Sequence, residues 1–110
     1  MGISTHILDT SRGRPAANVD VVLESMEGPD WKSVAKGTTD ADGRIKPLLE
    51  TIPSTGTYRL RFEVGPYFES QGFDFFFDTV SVEFLVKSES EHYHVPLLVN
   101  PFGYSTYRGS

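Results

Sequence analysis

Three histidines and no cysteine set the limits of what this chain can do chemically. Without a thiol there is no disulfide framework, no cysteine nucleophile and no zinc site built on sulfur. Imidazole remains, with an ordinary pKa of about 6.5 that lets it give and take a proton near neutrality. Three places carry more chemistry than core packing needs. The first is His6, inside the apolar segment Ile3-Ser4-Thr5-His6-Ile7-Leu8, where a histidine often finds only a backbone partner. The second is Arg44, which follows directly on Asp42-Gly43 and taken alone reads as a solvated turn residue. The third is the run from His92 to Ser110, which contains His94, Tyr107 and Arg108. A chain end is commonly frayed and polar. Phe102, Tyr104 and Tyr107 lie in this one, so it is expected to pack against something.

Other chemistries fit less well. His92 and His94 share a face if their segment is a strand, because side chains alternate with period two, and they form a possible metal pair. The third histidine is remote in sequence and the spacing fixes no carboxylate as a further ligand, so no metal site is read. Aligning Gly43 with the invariant glycine of a calcium loop puts Thr38 and Leu49 at the first and last ligand positions, and both are wrong. Asp40-Ala41-Asp42-Gly43 is therefore a turn. The sequence has no Gly-x-Ser-x-Gly elbow, no Walker loop and no dinucleotide fingerprint.

The elements that must carry these groups are strands. Val19, Val21 and Leu23 alternate with Asp20, Val22 and Glu24. Tyr58 to Val64 and Val80 to Val86 repeat the pattern, each at ordinary strand length. Turn signals separate them at Arg12-Gly13-Arg14-Pro15, Glu27-Gly28-Pro29-Asp30, Asp42-Gly43 and Pro53-Ser54-Thr55-Gly56. Only Pro66 to Gln71 offers a short helix, with Gly72 placed to end it. Strands at this spacing over 110 residues predict an all-β, two-sheet sandwich as one domain, residues 1–110.

Composition agrees. The hydrophobic fraction is 38% and the charged fraction 23%, and no stretch approaches the ~20 apolar residues of a membrane helix. Fifteen acidic against ten basic residues give a net charge of −5, which argues against nucleic acid. Met1-Gly2-Ile3-Ser4-Thr5-His6 lacks the basic start and apolar core of a secretory signal, and His6 stands where a myristoylation motif needs Ser or Thr. The expected location is cytoplasmic, or periplasmic or peroxisomal if a targeting segment has been trimmed.

Two long motifs resemble a known family. His6-Ile7-Leu8-Asp9-Thr10-Ser11-Arg12-Gly13-Arg14-Pro15-Ala16 is similar to the first signature of the transthyretin family. Tyr93-His94-Val95-Pro96 through Pro101-Phe102-Gly103-Tyr104-Ser105 is similar to the second. The ending Tyr107-Arg108-Gly109-Ser110 resembles the tetrapeptide that marks the family's hydrolytic branch, which acts on 5-hydroxyisourate. Val99-Asn100 departs from the usual Leu-Ser, and Phe75-Phe76-Phe77-Asp78 from the usual Phe-Phe-Pro.

The resemblance implies an eight-stranded transthyretin-like (prealbumin-like) sandwich with one short helix, assembled as a homotetramer with active sites at subunit interfaces. It implies hydrolytic opening of the six-membered ring of 5-hydroxyisourate, without metal or organic cofactor and with no nucleic-acid or membrane partner. It places the family's functional groups on His6, Arg44, His94 and Ser110, with His6, Arg44, Tyr107 and Arg108 holding substrate. That chemistry suits the residue types: imidazole for activating water, and guanidinium for substrate oxygens and a developing oxyanion. A regular strand at the end of the chain would face Arg108 and Ser110 one way and Tyr107 the other. Either the strand geometry is left at Gly109, or the side chains serve different subunits. A carrier of small aromatic ligands and a non-catalytic sandwich module are the alternatives.

Overall fold

The protein is described by a computed structural model over residues 2–110. Its strands form two sheets. In the first, β1 (Ile3–Asp9) is central. Along one side it pairs antiparallel with β2 (Arg14–Pro15) and β5 (Arg44–Leu49), and along the other it runs parallel to β8 (Tyr93–Asn100). The edge strand β9 (Gly103–Thr106) closes this sheet against β8. The second sheet runs in the order β4 (Asp30–Thr38), β3 (Asp20–Glu27), β6 (Gly56–Glu63), β7 (Thr79–Val86).

The core lies between the sheets, where the alternating apolar residues meet. Ile3, Ile7, Leu97 and Val99 of the first sheet face Val21, Leu23, Leu60 and Phe62 of the second, all fully buried. The single helix, α1, spans Val64–Ser70. It begins two residues before the predicted start because Val64 leaves the alternation of β6 and is buried as the first helical residue. Gly72 follows the helix with φ +78°, the left-handed geometry that stops it.

The described residues form nine strands rather than eight, because the turn after β1 folds back far enough to add the two-residue β2. Asp9, fully buried at the end of β1, organises that turn. Its Oδ1 accepts from Ser11 N (3.0 Å), Ser11 Oγ (2.5 Å) and Arg12 N (3.3 Å), and its Oδ2 accepts from Tyr67 Oη (2.7 Å). Burial, and then the Asp9 carboxylate, push the Tyr67 phenol up to about 12, so it remains a donor. Much of the first signature is therefore structural.

The last aromatics pack only in part: Tyr104 meets Phe77 edge to face, ring centres 5.2 Å apart, and much of their surface stays open. Phe102 is 68% exposed, Tyr104 44% and Tyr107 59%. β9 is a sheet edge, and among the described residues no strand pairs with its outer side. Asn100, at the departure from Leu-Ser, accepts a hydrogen bond from Phe102 N at 2.9 Å and shapes the β8–β9 turn.

Candidate active site

The pleat of the first sheet decides which histidines escape the core. Along β1, Ile3, Thr5, Ile7 and Asp9 point inward and are fully buried, which turns Ser4 and His6 to the outer face. Along β8, Tyr93, Val95, Leu97 and Val99 point inward, which turns His94 outward. The strand register then brings these residues together. Ser4 lies opposite His94 across β1–β8, and His6 lies opposite Arg44 across β1–β5. Directly opposed side chains share a face and stand within contact range.

Arg44 is delivered by the turn before it. Asp40 Oδ1 accepts from Asp42 N (2.9 Å) and Arg44 N (3.0 Å), and Gly43 O accepts from Ile7 N (2.7 Å). Gly43 has φ +74°, and a Cβ on it would lie 2.4 Å from the Ile7 carbonyl oxygen. Only glycine allows the turn to press so closely on β1.

The end of the chain supplies the remaining wall. Strand geometry stops at Thr106, and Gly109 then bridges back to His94, its N–H donating to His94 O at 2.8 Å. A Cβ on Gly109 would lie 2.6 Å from His94 Cδ2, so the backbone rests directly on the imidazole. The resulting cleft, of about 180 Å³, is lined by Ser4, Arg44, Lys46, His92, His94 and Ser110. His6 adjoins it through its pairing with Arg44. Four separate stretches of chain converge here, and a protein of net charge −5 presents a basic hollow.

All three imidazoles are held below their ordinary pKa. For His94 the cause is burial first, then the positive charges of His6, Arg44, His92 and Lys46. For His6 it is burial and then Arg44, with the Asp42 main chain and the Asp40 and Asp42 carboxylates pulling the other way. For His92 burial leads and Lys46 contributes. Near neutral pH the cleft therefore combines neutral imidazoles, which can accept a proton, with fixed cations, which can hold oxygen anions. Among the described residues, no three histidine or carboxylate side chains converge as a metal-binding set.

Of the residues singled out from sequence, Arg44, His94 and Ser110 line this cleft and His6 flanks it. Tyr107 and Arg108 do not line it. They border a larger cleft of about 400 Å³ between β7 and β9, together with Val82, Phe84 and Tyr93. The Arg108 guanidinium lies 4.5 Å from the Tyr93 ring centre, donating to Glu91 Oε1 (3.0 Å) and His92 O (3.2 Å). The strand is thus left after Thr106 rather than at Gly109, which lets Tyr107 and Arg108 reach one cleft and Ser110 the other. Ser4 and Lys46 were missed. Each stands two residues from a flagged neighbour, His6 or Arg44, and period two was the signal that could have found them.

Fold and site together define a two-sheet β-sandwich with an imidazole–guanidinium cleft on the outer face of one sheet. Residues 3–109 match the model of the HIUase/Transthyretin family, and the chain belongs to that family. The 5-hydroxyisourate hydrolase of Salmonella dublin is 50% identical over 109 residues, covering 98% of this chain and 80% of that protein. The structure of Klebsiella pneumoniae 5-hydroxyisourate hydrolase matches with a TM-score of 0.87 at 38% identity, covering 100% of both chains. Sea bream transthyretin in complex with thyroxine matches with a TM-score of 0.92 at 32% identity, covering 99% of this chain and 95% of that one. Shape alone does not separate these two relatives, whereas sequence identity favours the hydrolases.

Proposed function

We propose that this protein is a hydrolase of urate degradation that opens the six-membered ring of 5-hydroxyisourate to the 2-oxo-4-hydroxy-4-carboxy-5-ureidoimidazoline product. The observation that carries the reading is the meeting of His94, Arg44 and Ser110, with His6 beside them, in one basic cleft. Full-length similarity to 5-hydroxyisourate hydrolases supports it.

The substrate is a flat, oxygen-rich ring that can carry negative charge, which suits a hollow bordered by Arg44 and Lys46. One of His6 and His94 takes a proton from water as its oxygen adds to the ring carbonyl. The ring C–N bond breaks, and the departing nitrogen receives a proton from the imidazole side of the cleft. Arg44 holds the oxygen on which charge develops, and Ser110 hydrogen-bonds the bound ring. The chemistry asks for no metal or organic cofactor. Four copies assemble with the sites at subunit interfaces. Tyr107 and Arg108, in the cleft between the two sheet edges, act across such an interface rather than in the histidine cleft of their own chain. The unpaired edges β7 and β9 and the exposed Phe76, Phe102, Tyr104 and Tyr107 support assembly.

The test is absorbance decay of freshly generated 5-hydroxyisourate, run beside native mass measurement. The wild type is expected to outrun the spontaneous decay. A base is worth about 10²–10⁴-fold and an oxyanion donor about 10²–10³-fold, so His6→Ala and Arg44→Ala should each lose at least about a hundredfold in turnover. Near-normal turnover in a folded His6→Ala protein removes His6 from the mechanism. No acceleration by the wild type, with thyroxine-like ligands bound instead, returns the carrier reading.

A further inference from the structure

One hydroxyl stands between two ring nitrogens at the wall of the cleft. Ser4 is only 2% exposed, and its Oγ lies 2.8 Å from His94 Nδ1 and 2.8 Å from His92 Nε2. A serine hydroxyl has one proton to donate and two lone pairs with which to accept. With both rings neutral, the chain of hydrogen bonds through Ser4 can therefore run in two senses. In the first, His92 Nε2–H donates to Ser4, and Ser4 donates to His94 Nδ1. His94 then carries its proton on Nε2 and has no lone pair to offer. In the second, His94 Nδ1–H donates to Ser4, and Ser4 donates to the bare Nε2 of His92. His94 Nε2 then keeps its lone pair.

We propose that Ser4, relaying its hydrogen bond to His92, is a positioning residue that fixes His94 as the Nδ1–H tautomer and so makes His94 Nε2 the base of the cleft. The inference rests on the hydrolytic reading above and assigns the base role that reading leaves between His6 and His94. Proton uptake gives the physical reason. A His94 imidazolium carries a proton on Nδ1, which must donate to Ser4. The second sense already has that proton in place, so taking another on Nε2 strengthens the existing bond and reverses nothing. The first sense would require both bonds to turn over.

The groups around His94 keep it neutral between turnovers. His6 of β1, Arg44 and Lys46 of β5 and His92 all add positive charge on its side of the sheet. Asp40 and Asp42 act on His6 instead, and Glu91 is paired with Arg108. Charging His92 puts a proton on its Nε2 and forces the first sense, so the exposed His92 gates the base. This is the role that spacing alone could not give it.

The experiment reads the tautomer directly, by long-range ¹H–¹⁵N spectra of histidine-labelled protein near neutral pH, with turnover measured on the same samples. In the wild type, His94 is expected to show a protonated Nδ1 and a bare Nε2. Ser4→Ala, and independently His92→Ala at an exposed position, should move His94 towards the Nε2–H form. Each should lower kcat by at least about tenfold with a smaller change in KM, short of the ~10²–10⁴-fold loss of a base removed outright. Ser4→Thr, which keeps the hydroxyl, should restore both readouts. A wild-type His94 with its proton on Nε2, or a tautomer unmoved in both alanine variants, overturns the proposal. A tautomer that shifts as expected in a protein that does not open 5-hydroxyisourate would uphold Ser4 and defeat the hydrolytic reading instead.

Discussion

Replacing Gly109 by alanine should separate activity from stability. The added methyl carbon would stand 2.6 Å from His94 Cδ2, 3.3 Å from His94 Cγ and 3.3 Å from Pro96 Cγ. Carbon atoms rest at about 3.5–4.0 Å, so roughly 1 Å must be found by moving the ring or the backbone. The ring is tethered, because Nδ1 is held at 2.8 Å by the buried Ser4. The end of the chain is held by one main-chain bond, from Gly109 N–H to His94 O, and by the long, exposed Arg108 side chain on Glu91, His92 O and Tyr93. The chain end should therefore yield, lifting Ser110 out of the cleft. Arg108 can follow the shift on its flexible stem, so the stability cost is chiefly the Gly109–His94 bond, about 0.5–1.5 kcal/mol. The catalytic cost is larger, because a misplacement of about 1 Å can lower a rate about 10²-fold. Urea denaturation at fixed protein concentration and the 5-hydroxyisourate decay assay measure the two separately. Wild-type kcat/KM in Gly109→Ala would refute the idea that this segment completes the site. A loss of several kcal/mol would show that the segment supports the fold as a whole.

Other outcomes follow from the same geometry. The proposed roles of His6 and His94 need neutral rings, and both pKa values are lowered, so kcat/KM should hold through pH 6.5, the ordinary histidine value, and fall only at more acid pH. Stability should follow the same sign. The unfolded chain binds protons on these histidines more readily than the folded one, so stability is lost as pH falls below about 6.5, measurable as a drop in denaturation midpoint. Asp9→Ala leaves Tyr67 Oη, Ser11 N and Arg12 N without their acceptor, and should cost about 2–4 kcal/mol by urea denaturation.

How much of this was legible in the sequence depended on the range of the interaction. Alternation is local, so Val21, Leu23, Leu60 and Phe62 read correctly as inward-facing. The Asp42-Gly43 turn read correctly because a left-handed glycine leaves a local signature. Strand pairing is not local. That Ser4 meets His94, or His6 meets Arg44, depends on parallel and antiparallel registers that join residues 90 and 38 positions apart, and no spacing rule reports them. The family resemblance supplied what spacing could not for His6, Arg44 and His94. It was less informative for Tyr107 and Arg108, whose positions depend on where β9 lets go of β8. The two-residue β2 was also hidden, since it exists only because Asp9 gathers the turn around it.

The pleat of β1 and β8 divides labour between alternate residues: odd positions fill the core between the sheets, while even positions face outward and build the site. A scaffold arranged in this way can exchange its outward residues without disturbing the inward ones, as pegs can be moved on a board without weakening it. The similarity in shape to both a 5-hydroxyisourate hydrolase and a thyroxine-bound transthyretin is what such a board would produce when its pegs are set twice for different tasks.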